Sequence, residues 1–160
     1  MSEHPTATGR APLTIPLAHG PVAAWMDRIF AVLVAAPVAA VTVALASVTA
    51  DARGHGTHEQ LGLDPCGWPA VYGMPCPTCG VTTAACYLVH GHPIDAVVTQ
   101  PFGALGMLTA LLLGVHAIYC LLRGRSFVDL LVRLPFWRLV LGAIVLLLLS
   151  WGYKCLVWEQ

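Results

Sequence analysis

Three stretches of the chain carry no charged residue, and charge bounds each of them. The first lies between Arg28 and Asp51, where residues 29–50 form an unbroken apolar run. About 20 apolar residues carry a helix across the hydrocarbon core, so this run predicts a first membrane span. Pro37 falls inside it, and a proline is tolerated in a membrane helix. The second stretch lies between Asp95 and Arg123 and predicts a span over 102–122, with Gly103, Gly106 and Gly114 as places for close helix approach. The third, Leu139–Tyr153, is shorter. If Lys154 snorkels, its helix extends to Trp158 and gives a span over 139–158. Tyr119, Trp137, Trp151, Tyr153 and Trp158 fall where interfacial aromatics belong. Val48-Thr49-Ala50 resembles a cleavage site, but the apolar run exceeds the h-region of a signal peptide and a long polar arm precedes it. The first run is therefore expected to be kept as a span.

The segment 51–100 follows a different pattern. Proline and glycine punctuate Pro65–Gly80 so densely that an irregular knuckle is expected there, neither helix nor central strand. Helical spacing returns after Gly80, with Val81, Ala84, Ala85, Leu88 and Val89 on one face of a helix over Val81–His90. Ten residues rise about 15 Å, half a bilayer, which predicts an interfacial or re-entrant helix. Gly91 ends it, and Pro93 suits the first turn of a second short helix, Pro93–Thr99. The fold class that follows is all-α: a polytopic membrane protein with three transmembrane helices, one or two short helices and a Cys-rich knuckle. Residues 1–28 read as a flexible cytoplasmic tail, and 29–158 as a single membrane domain whose outer loop is 51–100.

Composition agrees. Hydrophobic residues make up 58% of the chain and charged residues 10%, whereas a soluble domain carries about 25% charged residues. The lipid bilayer is the expected partner. A net charge of zero leaves no electrostatic footprint for nucleic acid. Arg10 and Arg28 precede the first span, and Arg123, Arg125, Arg133 and Arg138 lie between the second and third. The other side holds only Arg53 and Lys154. The positive-inside rule then places a multi-pass chain in the inner (plasma) membrane, with its N-terminus in the cytoplasm and the 51–100 loop outside.

Outside is an oxidising compartment, which sets how the loop cysteines are read. Of six cysteines, Cys66, Cys76 and Cys79 fall in the knuckle. One reading is a structural disulfide between Cys66 and either partner, which leaves one thiol over. A second is a metal site. Cys66, Cys76 and Cys79 need one further ligand for tetrahedral zinc, and His92 is the candidate among His55, His58, His90 and His92. A third is thiol–disulfide chemistry at Cys76-Pro77-Thr78-Cys79, just before a helix N-terminus that would favour a thiolate. No thioredoxin-like βαβ pattern surrounds it. Cys86 is about 10 Å further along a helix and Cys120 lies at the far end of the second span, so neither joins the cluster. Cys155 reads as packing near the outer end of the third span. His116 lies within the second span, where an ionisable group is a functional candidate, and Thr42, Ser47, Thr109 and Ser150 are the hydroxyls that could bond it. Asp95 reads as a first-turn helix charge, and Trp68 and Tyr72 as interfacial anchors.

Cys66, then Gly73-x-Pro75-Cys76-Pro77-x-Cys79-Gly80-x-Thr82, then Gly91 through Ala96 and Pro101, resemble the bacterial domain-of-unknown-function family 2752. The resemblance covers about forty residues. It implies a small membrane protein with a Cys-Pro-x-Cys-Gly-x-Thr-Arg signature, and it brings no established activity. Two positions depart from that pattern: Gly67 stands where the family has proline, and Thr83 where it has arginine, so any anion or carboxylate contact made by that arginine is missing here. No hydrolase triad, phosphate loop or carboxylate pair is present. The leading class is a non-enzymatic subunit or accessory protein of a membrane complex, with the knuckle stabilised by disulfide or metal. The alternative is a membrane thiol–disulfide oxidoreductase or metal-handling protein that uses Cys76 and Cys79.

Overall fold

The computed structural model describes residues 24–158. The expected tail, with His4, His19 and Arg10, lies outside the described residues, apart from its last few positions, which are helical.

The first helix, α1 (Ala24–Ala46), starts and ends earlier than its charge-free run. The helix carries Asp27 in its first turn, with the carboxylate turned inward instead of towards solvent. Its end is set by competition for backbone groups. The Ser47 hydroxyl donates to Ala44 O, and the Gln60 side-chain amide brackets Thr49, accepting from its N–H and donating to its carbonyl. Those groups are then lost to the helical ladder. A one-turn 3-10 helix (Thr57–Leu61) follows.

The knuckle contains a helix that the sequence reading did not expect, α2 (Gly67–Tyr72). Pro69 lies in its first turn, where no backbone N–H is needed, and Gly73 closes it in the left-handed region with its N–H on Pro69 O. The punctuation that looked like disruption is a start signal and a stop signal one turn apart. Next come α3 (Val81–Val89) and α4 (Pro93–Thr99), close to their expected bounds. Then α5 (Pro101–Arg123), the six-residue α6 (Val128–Arg133) and α7 (Phe136–Leu156) complete the chain. No strand occurs among the described residues.

Helices α1, α5 and α7 are long and apolar enough to cross a membrane. No more than 22% of any of these spans is buried inside the protein. Leu33, Val43, Leu112, Val115, Ile144 and Leu149 stand exposed along them, a surface that needs lipid as its solvent. The architecture is that of a multi-pass membrane protein. Packing among the helices rests on small residues. A Cβ on Gly114 would meet Val38 of α1 at 2.9 Å, and one on Gly103 would meet the Val81 backbone of α3 at 2.8 Å. Gly106 has open space beside it and is no contact point.

The two ends of the bundle differ. At one end the α1 N-terminus meets the α5–α6 turn. Asp27 accepts from the Ser126 hydroxyl (2.8 Å), the Phe127 N–H (3.1 Å) and the Val128 N–H (2.9 Å). Ala31, Ala35, Ala117, Cys120 and Phe127 pack beneath that cap. Chain order brings Arg28, Arg123, Arg125, Arg133 and Arg138 to this end. At the other end the C-terminal turns of α1 and α7 and the N-terminal turn of α5 gather around the knuckle. The Trp151 indole N–H donates to Pro75 O at 2.9 Å, the Tyr153 hydroxyl to Val98 O at 2.8 Å, and Ser150 Oγ accepts from the Phe102 N–H at 3.0 Å. Lys154 does not snorkel. It folds inward, 6% exposed, and donates to Gly54 O and Thr99 O.

Candidate functional site

A cleft of about 570 Å³ opens at the knuckle end. One wall comes from the turn after α1 and carries Arg53, His55, His58 and Glu59. The other comes from the knuckle and carries Cys66, Cys76 and Cys79, with Thr82 and Thr83 of α3 along the floor. The structure thus unites the three loop cysteines, which are free thiols, and places two histidines opposite them. Those are His55 and His58; His92 lies elsewhere, at the start of α4, with its ring edge-on to Tyr87 and 3.7 Å from Asp95. Among the described residues, no group of three or more His, Cys, Asp or Glu side chains is arranged to hold a metal ion.

The local chain explains the thiol geometry. Pro75 is fixed by Trp151, and the turn Cys76–Cys79 closes with the Cys79 N–H on Cys76 O at 3.0 Å. Gly80 then adopts φ +89°, a conformation that disfavours any side chain, and launches α3. A Cβ there would sit 2.6 Å from Gly54 O, so only glycine lets the two strands of loop meet. The Thr83 hydroxyl, fully buried, bonds Thr57 Oγ1 at 2.9 Å and ties α3 to the 3-10 helix. In this chain the guanidinium lining the same cleft is that of Arg53, which grips Asp51 at 2.8 Å and Glu59 at 3.3 Å.

The three thiols are not equivalent. Burial alone would raise the Cys76 thiol, but the Thr78 hydroxyl (3.5 Å) and backbone N–H, then the Cys66 and Cys79 thiols, bond its sulfur and carry it below its ordinary value. Cys79 is 5% exposed, and burial together with the charge on Cys76 pushes it up to about 11. At Cys66 the Trp68 backbone N–H favours the anion, yet burial and the neighbouring Cys76 outweigh it, and the thiol is raised. The half-buried Cys76 is the favoured thiolate, held between two thiols that keep their protons.

Residues 66–114 match the family described as protein of unknown function DUF2752. The matched segment runs from the first knuckle cysteine through α2, α3 and α4 to Gly114 in α5. It holds Cys66, Cys76, Cys79, Thr82 and Thr83 of the cleft, while Arg53, His55, His58 and Glu59 come from outside it. No curated protein and no solved structure matches the chain.

The other singled-out residues take structural places. Cys86 lies beneath the α1 C-terminus with its thiol 3.6 Å from both Leu45 O and Val48 O. Cys155 is exposed, not packed as expected, and it does not line the cleft. The His116 ring packs on Phe127 and Tyr119, with Nε2 3.5 Å from the Cys120 sulfur. The hydroxyls considered for it bond elsewhere, Thr42 to Val38 O and Thr109 to Leu105 O. Sequence reasoning missed Arg53, Gln100 and Lys154 as neighbours of the knuckle. Only Lys154 carried a signal, as the single lysine of the chain.

Proposed function

We propose that this membrane protein carries out thiol–disulfide exchange at Cys76 and Cys79, with the knuckle on the outer side of the inner (plasma) membrane and the N-terminus in the cytoplasm. The inequality of the two thiols carries the reading. An accessible, stabilised thiolate paired with a buried, protonated neighbour is the division of labour that two-step exchange requires. The opposed ends of the bundle support the orientation, because Arg28, Arg123, Arg125, Arg133 and Arg138 lie away from the cysteines and only Arg53 lies beside them.

The chemistry runs in two steps. The Cys76 thiolate attacks one sulfur of a partner disulfide, forms a mixed disulfide and expels the other partner sulfur as a thiolate. Cys79 then gives up its proton, which that thiolate takes, and its sulfur attacks Cys76 and releases the remaining partner thiolate. The partner disulfide is reduced by two electrons, and Cys76–Cys79 becomes the disulfide. The reverse sequence oxidises a partner dithiol.

The test uses the reduced full chain in lipid nanodiscs with a peptide disulfide. A Cys79→Ser chain should accumulate the mixed disulfide through Cys76, read by mass spectrometry, and a Cys76→Ser chain should form none at the knuckle. Stoichiometric zinc on the purified protein, shielding all three thiols from alkylation, would overturn the reading in favour of a metal-stabilised knuckle. A Cys76→Ser, Cys79→Ser chain that keeps its cellular role, together with a co-purifying membrane partner, would make the knuckle a structural part of a complex.

A further inference from the structure

A second cavity lies beside the thiol cleft, and the exchange reading leaves it unused. It holds about 350 Å³, within the range of about 300–1,000 Å³ that small-molecule sites occupy. Val41 and Leu45 of α1, Val81 and Thr82 of α3, and Phe102 and Met107 of α5 line it. Exposed Val41 and Gly106 mark its mouth on two membrane-spanning helices, so it opens to lipid. A Cβ on Gly106 would meet nothing within 4 Å, which leaves the slot clear at that point. The other end adjoins the thiols: Val81 and Thr82 line this cavity and the cleft of Cys76 and Cys79 alike. Thr82 brings a hydroxyl to an otherwise apolar lining, and that hydroxyl makes no hydrogen bond among the described residues. A slot of this kind suits an apolar ligand with a hydrogen-bond acceptor at the end that meets Thr82.

We infer that this slot binds an isoprenoid quinone, with a ring carbonyl on Thr82 and the tail running past Gly106 into the bilayer, and that the quinone takes the electrons of the Cys76–Cys79 dithiol. This rests on the thiol-exchange reading above and fixes its direction, towards oxidation of a partner dithiol. Each such cycle leaves two electrons on Cys76 and Cys79, and quinones are the lipid-soluble carriers that draw thiol electrons off in pairs. The tail of a lipid would fill the apolar slot, but it offers Thr82 no acceptor and the dithiol no sink. Two steps complete the transfer. The Cys76 thiolate adds to a ring carbon: a carbon–sulfur bond forms, and the displaced ring electron pair moves to a carbonyl oxygen, which takes a proton from water. Cys79 then attacks the Cys76 sulfur. The disulfide forms, the carbon–sulfur bond breaks, and its pair returns to the ring, whose second oxygen takes the Cys79 proton. The dithiol has become a disulfide, and the quinone a hydroquinone.

The test uses the reduced full chain in lipid nanodiscs, without oxygen, with decyl-ubiquinone and a short-tailed menaquinone as the probes. With at least one of them the wild-type chain should form hydroquinone, read by ultraviolet absorbance, and acquire the Cys76–Cys79 disulfide, read by mass spectrometry. Gly106→Leu fills the slot through the open space beside that residue. It should slow hydroquinone formation by about tenfold or more, because ring and leucine compete for one volume, and leave exchange with the peptide disulfide within about twofold of wild type. Thr82→Val removes the hydrogen bond to the ring and should raise the half-saturating quinone concentration about three- to tenfold, and Thr82→Ser should restore it. The Thr82 pair carries the test if Gly106→Leu does not fold. Hydroquinone formed at the wild-type rate by Gly106→Leu, or a half-saturating concentration unmoved in Thr82→Val, would overturn the site. So would a wild-type chain that exchanges with the peptide disulfide and leaves both quinones oxidised, the slot then holding a lipid tail. A wild-type chain that does neither defeats the exchange reading itself.

Discussion

Alkylation of the two knuckle thiols by iodoacetamide tests the asymmetry on which the proposed chemistry stands. At pH 8, a thiol at about 11 is ionised in roughly one molecule in a thousand. Cys76 lies below its ordinary value of 9.0, so at least about one molecule in eleven carries the thiolate. The thiolate populations differ by at least about ninetyfold. The more basic sulfur is the better nucleophile and recovers about eightfold of that, leaving Cys76 about tenfold faster before burial of Cys79 widens the gap. The expected pH profiles follow from the signs. The midpoint of the Cys76 rate should fall below pH 9, and the Cys79 rate should still be climbing at pH 10. Mass spectrometry resolved to single residues, on the reduced full chain in nanodiscs, measures both rates. Equal rates at pH 8, or a Cys76 midpoint above pH 9, would refute the reasoning.

The fold supplies further expectations. Asp27→Ala should lower stability by roughly 2–4 kcal/mol, because it strands the Phe127 and Val128 N–H groups without an acceptor; thermal unfolding in detergent measures it. Gly103→Ala should cost roughly 1–3 kcal/mol by pushing α3 off α5, whereas Gly106→Ala, with open space beside it, should be neutral in the same assay. Trp151→Phe removes the tie to Pro75 and should cost about 1 kcal/mol. Faster alkylation of Cys79 in that variant would show the knuckle loosening.

The three spans were legible because lipid imposes a single requirement, a long run without charge, and that requirement can be read residue by residue. The short helices α3 and α4 were legible from Gly91 and Pro93. What escaped was set by contacts across the chain. Lys154 reads as a snorkelling residue until Gly54 O and Thr99 O are seen to be waiting inside. The true end of α1 depends on Gln60, and α2 was hidden because Pro69 breaks a helix in its middle but not in its first turn. At the site, the clustering of Cys66, Cys76 and Cys79 followed from their spacing. Spacing could not show that the histidines facing them are His55 and His58, or that Thr78 singles out Cys76.

The two buried residues of α7, Ser150 and Lys154, both lie in its last two turns. The preceding fourteen residues, about 21 Å of helix, lie largely against the bilayer. A rod held at one tip turns sideways force along its free length into torque at the fixed tip. Here the fixed tip grips the peptide next to Cys76 through Trp151, and Gly54 O and Thr99 O through Lys154. Membrane tension, bilayer thickness or a helix docking on α7 would therefore act on the knuckle mechanically, through a lever built into the third span.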